Sequence, residues 1–420
     1  MVSVFDLAAL LLTLSALFGW LNHKLVRLPH TVGLLVMGLL ASLALIGLGF
    51  AFPGEKIFDS LQSLIRGIDF NAVVMNGMLA FLVFAGALNV NLEDLRARAW
   101  PVLVLAVLGT VISTAVVGCG LWTAAHLFGH PLPLVWTLVF GALISPTDPV
   151  AVLSTLKNVR VPGALEAEMK GEALFNDGVG IVLFTILLGL ATGDGDGKIG
   201  PLNILMLLGR EAGGGLLLGV VTGYVAYWTM RLIDDYPIEI MISLSLVTGT
   251  YAVAEKLGVS GPLAIVAAGL LIGERGPRYA MSERTRTYLF GLWNVIDEIL
   301  NAVLFLLLGL EVLVIRVDGT AILAAPLAIP IVFAARLLAV AMPLLMFPSN
   351  MVSARNVPFL TWAGVRGGIS VALALSLPDA PVRATLLSAT YAVVLFTILV
   401  QGTTLGFVAK RTIRAAPDRA

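Results

Sequence analysis

The chain of 420 residues contains 59% hydrophobic and 12% charged residues, with a formal net charge of zero and a mean hydropathy of +0.98. About 25% charged residues is usual in soluble globular proteins, so this composition excludes that class and indicates an integral membrane protein. The balanced charge gives no indication of a nucleic-acid partner. A single cysteine, Cys119, excludes both a disulfide framework and a metal site built from several thiolates.

Apolar runs of roughly 20 residues can cross about 30 Å of hydrocarbon as helices, and the sequence predicts about thirteen of them. They are Val4–Leu21, Thr31–Phe50, Ala72–Val90, Ala99–Leu127, Leu134–Lys157, Gly171–Thr192, Leu202–Ile233, Pro237–Leu257, Gly261–Ile272, Leu289–Ile315, Thr320–Phe347, Val357–Leu377 and Ala384–Val408. Ile57–Phe70 is expected to be an amphipathic helix near a surface. The first run lacks the features of a cleaved signal peptide, so we expect it to be retained. The predicted fold class is therefore an all-α polytopic membrane protein.

The basic residues of the connectors predict the orientation. On one side of the predicted spans the connectors and the tail carry seventeen Lys and Arg residues, and on the other side six. Cytoplasmic loops are usually enriched in Lys and Arg. This distribution places the amino terminus outside and the carboxyl terminus in the cytoplasm, with the cell (inner) membrane as the expected location.

Two predicted spans are interrupted near their middle. The fifth breaks at Ser145–Pro149 and the twelfth at Gly364–Gly368. Interrupted helices at corresponding positions of two halves are the best sequence indication of a transporter's substrate site. We therefore predict one membrane domain made of inverted repeats, spans 1–6 and 8–13. The first repeat covers 1–192, a linker helix 202–233, and the second repeat 237–414.

Two carboxylates, Asp148 and Asp177, fall inside consecutive apolar segments. An ionisable residue at membrane depth costs about 2.5–3.5 kcal/mol on insertion scales, so each is a functional hypothesis by default. Pro146 and Pro149 remove amide donors and leave carbonyls unpaired in the fifth span. With Thr147 and Asp148 these carbonyls are hard oxygen ligands, which suit Na⁺, K⁺ or protons and not soft metals. The alternative for Asp148 is a helix cap alone, and the two roles are compatible.

Asp177 is the carboxylate that we expect to exchange its ligand. It lies inside a span and is followed by Gly178 and Gly180, which let another backbone approach closely. Desolvation disfavours the charged form of a carboxyl group, so the same oxygens can bind a proton at one time and a cation at another. That competition is sufficient for exchange. The alternative is a permanently paired structural charge.

Other charges within the spans call for partners, because a buried unpaired charge is heavily penalised. We expect an ion pair between Glu172 and Arg336, with Arg366 as the other candidate, and the remaining arginine facing the crossing of the broken helices. Asp297 and Asn301 share a helix face at i, i+4, which favours structural hydrogen bonding. Three acidic residues near span ends are expected at the membrane interface: Asp6, Glu239 and Glu255.

Five motifs in this order resemble the monovalent cation:proton antiporters of the branch that contains bacterial NhaP proteins and animal sodium/proton exchangers. They are LISPTDPVAVLSTLK, GEALFNDGVGIVLF, DEILNAVLFLLLGLEV, TWAGVRGGISVALALSLP and VQGTTL. The resemblance covers nearly the whole chain. It implies a transporter without a cofactor, not an enzyme. It also implies a homodimer, crossed broken helices at the fifth and twelfth spans, and elevator-like alternating access.

The resemblance also assigns roles by position. Thr147 and Asp148 match the Thr-Asp pair of the unwound fifth helix, and Asn176 and Asp177 match the Asn-Asp pair whose Asp binds the ion and the proton. The implied Na⁺ (or K⁺) site is therefore at Asp177, Asp148 and Thr147. Relatives with Asn at the first position of the second pair are typically electroneutral, so Asn176 implies one cation for one proton.

Glu172 and Arg336 match the ion-paired Glu and Arg of the family. Two departures from the family pattern bear on the selectivity among cations. Many members have Ser where this chain has Ala173, and many have an acidic residue where we align Ala85. Both changes remove oxygen ligands. The choice among Na⁺, Li⁺ and K⁺ therefore stays open, and a K⁺-preferring antiporter is the alternative.

Two interpretations outside transport are weaker. Paired aspartates also occur in intramembrane aspartyl peptidases, which share one proton between two close carboxylates. Neither Asp148 nor Asp177 fits their Gly-x-Gly-Asp pattern, because the glycines follow Asp177 and Pro149 follows Asp148. The run Gly193–Gly197 (GDGDG) resembles part of a calcium loop but lacks the terminal Glu, so we expect an exposed turn.

Overall fold

The computed structural model describes residues 4–51, 70–156, 161–193, 206–207, 209–311, 319–346 and 356–412. Within these ranges the chain consists of helices and connectors, without a strand. The helices before residue 200 are α1 (Val4–Leu21), α2 (His30–Ala51), α3 (Leu79–Leu88, preceded by a π-helical Ala72–Met78), α4 (Leu92–Ala97), α5 (Ala99–Leu127), α6 (Leu134–Ile144), α7 (Pro149–Leu156) and α8 (Gly163–Thr192). Those after it are α9 (Gly214–Arg231), α10 (Tyr236–Leu257), α11 (Gly261–Arg275), α12 (Glu283–Leu310), α13 (Gly319–Met346), α14 (Val357–Trp362), α15 (Gly368–Leu375) and α16 (Arg383–Thr412).

The all-α, multi-pass architecture is confirmed. In the described part of the chain eight helices are long and apolar enough to cross a membrane, and Val73–Leu88 and Leu134–Ile144 are shorter apolar helices. The total of thirteen spans and the repeat boundaries stay predictions. The predicted amphipathic helix lies outside the described residues except for Phe70, and so does the glycine–aspartate turn after Gly193.

Most buried apolar residues belong to two large clusters. One is formed mainly by α5, α6, α8 and α12 to α16. The other is formed mainly by α3 and by α9 to α12. Helix α8 contributes Phe184 to the first cluster and Leu174 to the second. The helix that carries Asp177 therefore lies at the junction of the two clusters.

Small residues bring α9 and α11 into close contact. A Cβ added to Gly223 would lie 3.0 Å from the Cα of Ala268, and one added to Gly219 would meet the backbone of Ala264. Such approaches allow dispersion contacts along the whole length of two membrane helices. Ala268 belongs to the second cluster, so this close pairing of α9 and α11 is part of that cluster.

Glu239 lies in the first turn of α10, near the end of its predicted span, but it is covered by protein. Its side chain is 0% exposed, and Thr285 Oγ of α12 donates a hydrogen bond of 2.9 Å to its Oε1. Trp293 of α12 also donates to Ser243 Oγ at 3.0 Å, one turn further along α10. The polar beginning of α12 therefore covers the amino-terminal end of α10, and hydropathy alone does not reveal this contact.

Candidate functional site at the helix crossing

The two interrupted segments meet at their breaks. Helix α6 ends at Ile144 and α7 begins at Pro149, while α14 ends at Trp362 and α15 begins at Gly368. The backbone N–H of Asp148 donates to the carbonyl of Val365 at 2.8 Å, joining the two breaks directly. Four short helices therefore end or begin around one point inside the protein.

Proline and glycine account for both the break and the closeness of the contact. Pro146 and Pro149 have no amide donor, so the helical hydrogen-bond pattern cannot continue through residues 145–149. Gly367 lies directly against Asp148, because a Cβ added to Gly367 would be 2.6 Å from the Asp148 Cβ. Gly180 of α8 lies in the same way against the ring of Pro146.

Charged side chains occupy the helix ends at the crossing. Asp148 Oδ1 accepts from the N–H of Val150 at 2.8 Å, which places a carboxylate at the amino end of α7. Arg366 is 0% exposed and donates to the carbonyls of Ser145 and, at 3.0 Å, Pro146 at the carboxyl end of α6. The negative carboxylate faces the partly positive amino end of α7, and the positive guanidinium faces the partly negative carboxyl end of α6. Both interactions stabilise the interrupted conformation.

Arg336 joins the carboxyl end of α14 to α8. Its Nε donates to the carbonyl of Leu360 near the end of α14 at 3.2 Å. Its two terminal nitrogens bond the two carboxylate oxygens of Glu172, one at 3.0 Å. Both side chains are buried, and a bidentate pair of this geometry satisfies the guanidinium and the carboxylate together. Arg366, the other candidate partner, lies at the crossing instead.

Asn176 and Thr147 connect α8 to the first break. Asn176 Nδ2 donates to Thr147 Oγ1 at 2.9 Å, and the Thr147 N–H is 3.4 Å from Asn176 Oδ1. Both residues are buried. An Asn is suited to this position because its amide donates and accepts at once, whereas an ionised Asp could only accept.

Asp177 follows Asn176 on α8 and differs from the buried, paired charges of Glu172 and Arg336. It is partly exposed, and among the described residues its carboxylate has no hydrogen-bond or ion-pair partner. It lines a cavity of about 260 Å³ that also contacts Thr147 and Asp148. Gly86 and Asn89, which are exposed, belong to the same lining, so the cavity reaches the protein surface. An ion that enters through this opening can therefore approach both carboxylates.

The lining contains further polar groups and both family departures. Ala85 and Ala173 line the cavity without offering an oxygen from their side chains. Asp297 and Asn301 also line it, and Asn301 Nδ2 donates to the Asp297 carbonyl at 2.9 Å and to its Oδ1 at 3.0 Å. Their hydrogen bond was predicted from the i, i+4 spacing, but their position in this cavity was not.

Ser370 of α15 is a cavity residue that the sequence analysis missed. The only signal for it was its place two residues after the Gly367-Gly368 pair of the second break.

A helical membrane bundle in which two broken helices cross beside carboxylates has the architecture of a secondary transporter. Comparison with known proteins agrees. The sequence profile of the transmembrane sodium/hydrogen exchangers matches residues 12–411. The Na⁺/H⁺ antiporter NhaP of Pseudomonas aeruginosa is 42% identical over 98% of both chains. The Na⁺/H⁺ antiporter NhaH of Halobacillus aidingensis is 36% identical over 92% of this chain and 93% of its own.

A solved structure shows the same fold. The sodium proton antiporter MjNhaP1 from Methanocaldococcus jannaschii superposes with a TM-score of 0.74 at 21% identity, over 96% of this chain and 97% of its own. The chain therefore belongs to the sodium/hydrogen exchanger family of monovalent cation:proton antiporters. It is an integral, multi-pass membrane transporter and not an enzyme, so the peptidase interpretation is set aside.

Proposed function

We propose that this protein exchanges Na⁺ for H⁺ across the membrane and that Asp177 binds the two ions in turn. The observation that carries the proposal is the Asp177 carboxylate, which lines an accessible cavity with no fixed partner among the described residues. Glu172, by contrast, is bonded to Arg336. A carboxylate that has no permanent counterion in a membrane domain requires a mobile one.

In the proposed cycle, ionised Asp177 takes a cation together with oxygens of Thr147 and Asp148. Asn176 holds the Thr147 hydroxyl in place through its 2.9 Å hydrogen bond. The neutralised site then changes its exposure, the cation leaves, and a proton replaces it for the return. An empty, charged Asp177 crosses poorly because of its desolvation cost, and this couples the two fluxes. Alternating access of this kind is part of the proposal.

Charge balance supports one cation for one proton. At the crossing Asp148 and Arg366 have opposite charges, as have Glu172 and Arg336 beside it. If these charges stay fixed, Asp177 alone changes its ligand during the cycle. One positive charge then moves in each direction, and exchange is electroneutral.

Potassium is the second candidate cargo. The K⁺/H⁺ antiporter NhaP2 of Shewanella sp. is 30% identical over 96% of this chain. Ala85 and Ala173 give the cavity fewer oxygens than the family pattern. A cation with a lower dehydration cost, such as K⁺, depends less on those ligands. Lithium is the third ion to test.

The assembly and placement are also proposed on the support of the resemblance and the charge distribution. We propose a homodimer in the cell (inner) membrane, with the amino terminus outside and the carboxyl terminus in the cytoplasm. Residues 1–192 and 237–414 would be the inverted repeats, joined by the linker helix in 202–233. The crossing of α6/α7 with α14/α15 supports this division, since each proposed repeat supplies one broken helix.

The test is proton movement in proteoliposomes that contain a pH-sensitive dye, after addition of Na⁺, Li⁺ or K⁺ in turn. Asp177→Asn should abolish cation-dependent proton release. Asp379→Asn is the matched control, because Asp379 is exposed and its ion-pair partner among the described residues is Arg383, in an i, i+4 contact of 2.8 Å. A release rate that is the same with the membrane potential clamped at zero, left free or imposed with either sign indicates electroneutral exchange. An Asp177→Asn variant as active as wild type refutes the proposal.

A further inference from the structure

Ser370 is a buried polar residue that the proposed cycle does not use. It is 1% exposed, and its Oγ has no hydrogen-bond partner among the described residues. Leaving a buried hydroxyl unsatisfied costs about 1–3 kcal/mol, so such a group in a native protein requires an explanation. Ser370 lines the cavity that contains Asp148 and Asp177.

The position of Ser370 on α15 prevents its hydroxyl from bonding a carbonyl within its own helix, as buried serines usually do. Serines in membrane helices bond the carbonyl three or four residues earlier, as Ser145 does with Gly141 at 2.6 Å and Ser376 with Leu373 at 2.8 Å. Ser370 is the third residue of α15, so the corresponding carbonyls belong to the break before the helix. One of them, that of Arg366, is 3.4 Å from the Oγ of Thr397 on α16.

The neighbours of Ser370 place it on the side of the crossing where the cavity with Asp148 and Asp177 lies. Gly367, three residues earlier, packs against the side chain of Asp148. Asp177 lines the same cavity from α8 and also lacks a partner among the described residues. A hydroxyl oxygen and a carboxylate from two different helices therefore line one cavity with their bonding capacity unused.

We propose that Ser370 Oγ is a ligand of the transported cation and a determinant of its selectivity, an inference that rests on the proposed function. The hydroxyl supplies a neutral, hard oxygen of the type that Na⁺ and Li⁺ bind. It replaces, from α15, the oxygen that Ala173 does not provide from α8. The number and field strength of such oxygens decide selectivity among monovalent cations. Loss of the hydroxyl should therefore weaken binding of Li⁺ and Na⁺ more than binding of K⁺.

The experiment compares Ser370→Ala with Ser370→Thr in the proteoliposome assay at fixed pH. Ser370→Ala should raise the apparent KM for Na⁺ about five- to tenfold, as loss of one polar contact does, with a smaller rise for K⁺. Ser370→Thr retains the hydroxyl and should stay within about twofold of wild type. Ser388→Ala is the matched control, because Ser388 is also buried and unpartnered in the described structure but does not line the cavity.

A rescue and a binding measurement separate ligation from folding. Adding Ala173→Ser to Ser370→Ala should restore much of the Na⁺ affinity, since Ala173 lines the same cavity. Thermal stabilisation of the purified protein by added NaCl should shift to higher NaCl concentration in Ser370→Ala. Without NaCl the melting temperature of Ser370→Ala should not fall, because the substitution removes an unsatisfied buried hydroxyl.

The outcomes distinguish this inference from the function on which it rests. If wild type exchanges cations and the KM values of Ser370→Ala for Na⁺, Li⁺ and K⁺ equal those of wild type, only the role of Ser370 is overturned. An equal loss in Ser388→Ala also overturns it, because the effect would then be general to buried serines. Wild type without exchange for any cation overturns both proposals.

Discussion

Breaking the Glu172–Arg336 pair should destabilise the protein measurably. In Glu172→Gln the buried Arg336, 7% exposed, loses the carboxylate that balances its charge. The Gln amide keeps one oxygen acceptor but presents an NH2 group in place of the second, and the bond to the Leu360 carbonyl remains. Removing one partner of a buried ion pair costs about 3–5 kcal/mol. A chain of 420 residues has an unfolding entropy of about 0.9 kcal/mol per kelvin on the scale of soluble proteins. The expected fall in melting temperature is therefore about 3–6 °C.

The assay is thermal unfolding of the detergent-purified protein, followed by intrinsic tryptophan fluorescence. Glu166→Gln is the control on the same helix, since Glu166 pairs with Lys170 at 2.7 Å while its side chain is 42% exposed. A surface pair of that kind contributes about 0–1 kcal/mol. Replacing both members, as in Glu172→Gln with Arg336→Met, should recover part of the loss. A Glu172→Gln variant that melts within about 1 °C of wild type would refute the reasoning.

Two further substitutions test the crossing itself. Gly367→Ala places a methyl group 2.6 Å from the Asp148 Cβ, so Asp148 must move and Na⁺-dependent proton release should fall about tenfold. Gly86→Ala is its control, because the same cavity offers open space there, and equal rates in the two variants would contradict the expectation. Thr147→Val removes the acceptor of the Asn176 amide and a proposed ion ligand. It should raise the apparent KM for Na⁺ about tenfold, whereas Thr147→Ser should not, and matching KM values would count against a ligand role.

The breaks were predictable because they follow from backbone chemistry. Proline without an amide donor and glycine without a side chain act locally, and the observed helix ends at Ile144 and Trp362 lie within two residues of the predicted interruptions. The contact between the breaks was not predictable in the same way. The hydrogen bond from Asp148 to Val365 joins residues more than 200 positions apart, and no local pattern encodes it.

The family and the helical membrane architecture were also predictable, the first from five ordered motifs and the second from hydropathy. Burial of single polar residues was not. Hydropathy placed Glu239 at a span end, but the polar beginning of α12 covers it. The unpartnered hydroxyl of Ser370 follows from its position in the first turn after the break, which requires the start of α15 to be known.

Hydrogen bonds across the crossing tie its parts into one unit. Arg336 bonds α8 and α14, Arg366 bonds the second break to the first, and Asn176 bonds α8 to the first break. In the proposed cycle such a unit carries its ligands unchanged from one face of the membrane to the other. The cation then meets the same affinity on both sides. Under the proposed one-for-one exchange, the transport would be reversible and the gradients of the two ions alone would set the direction of net flow.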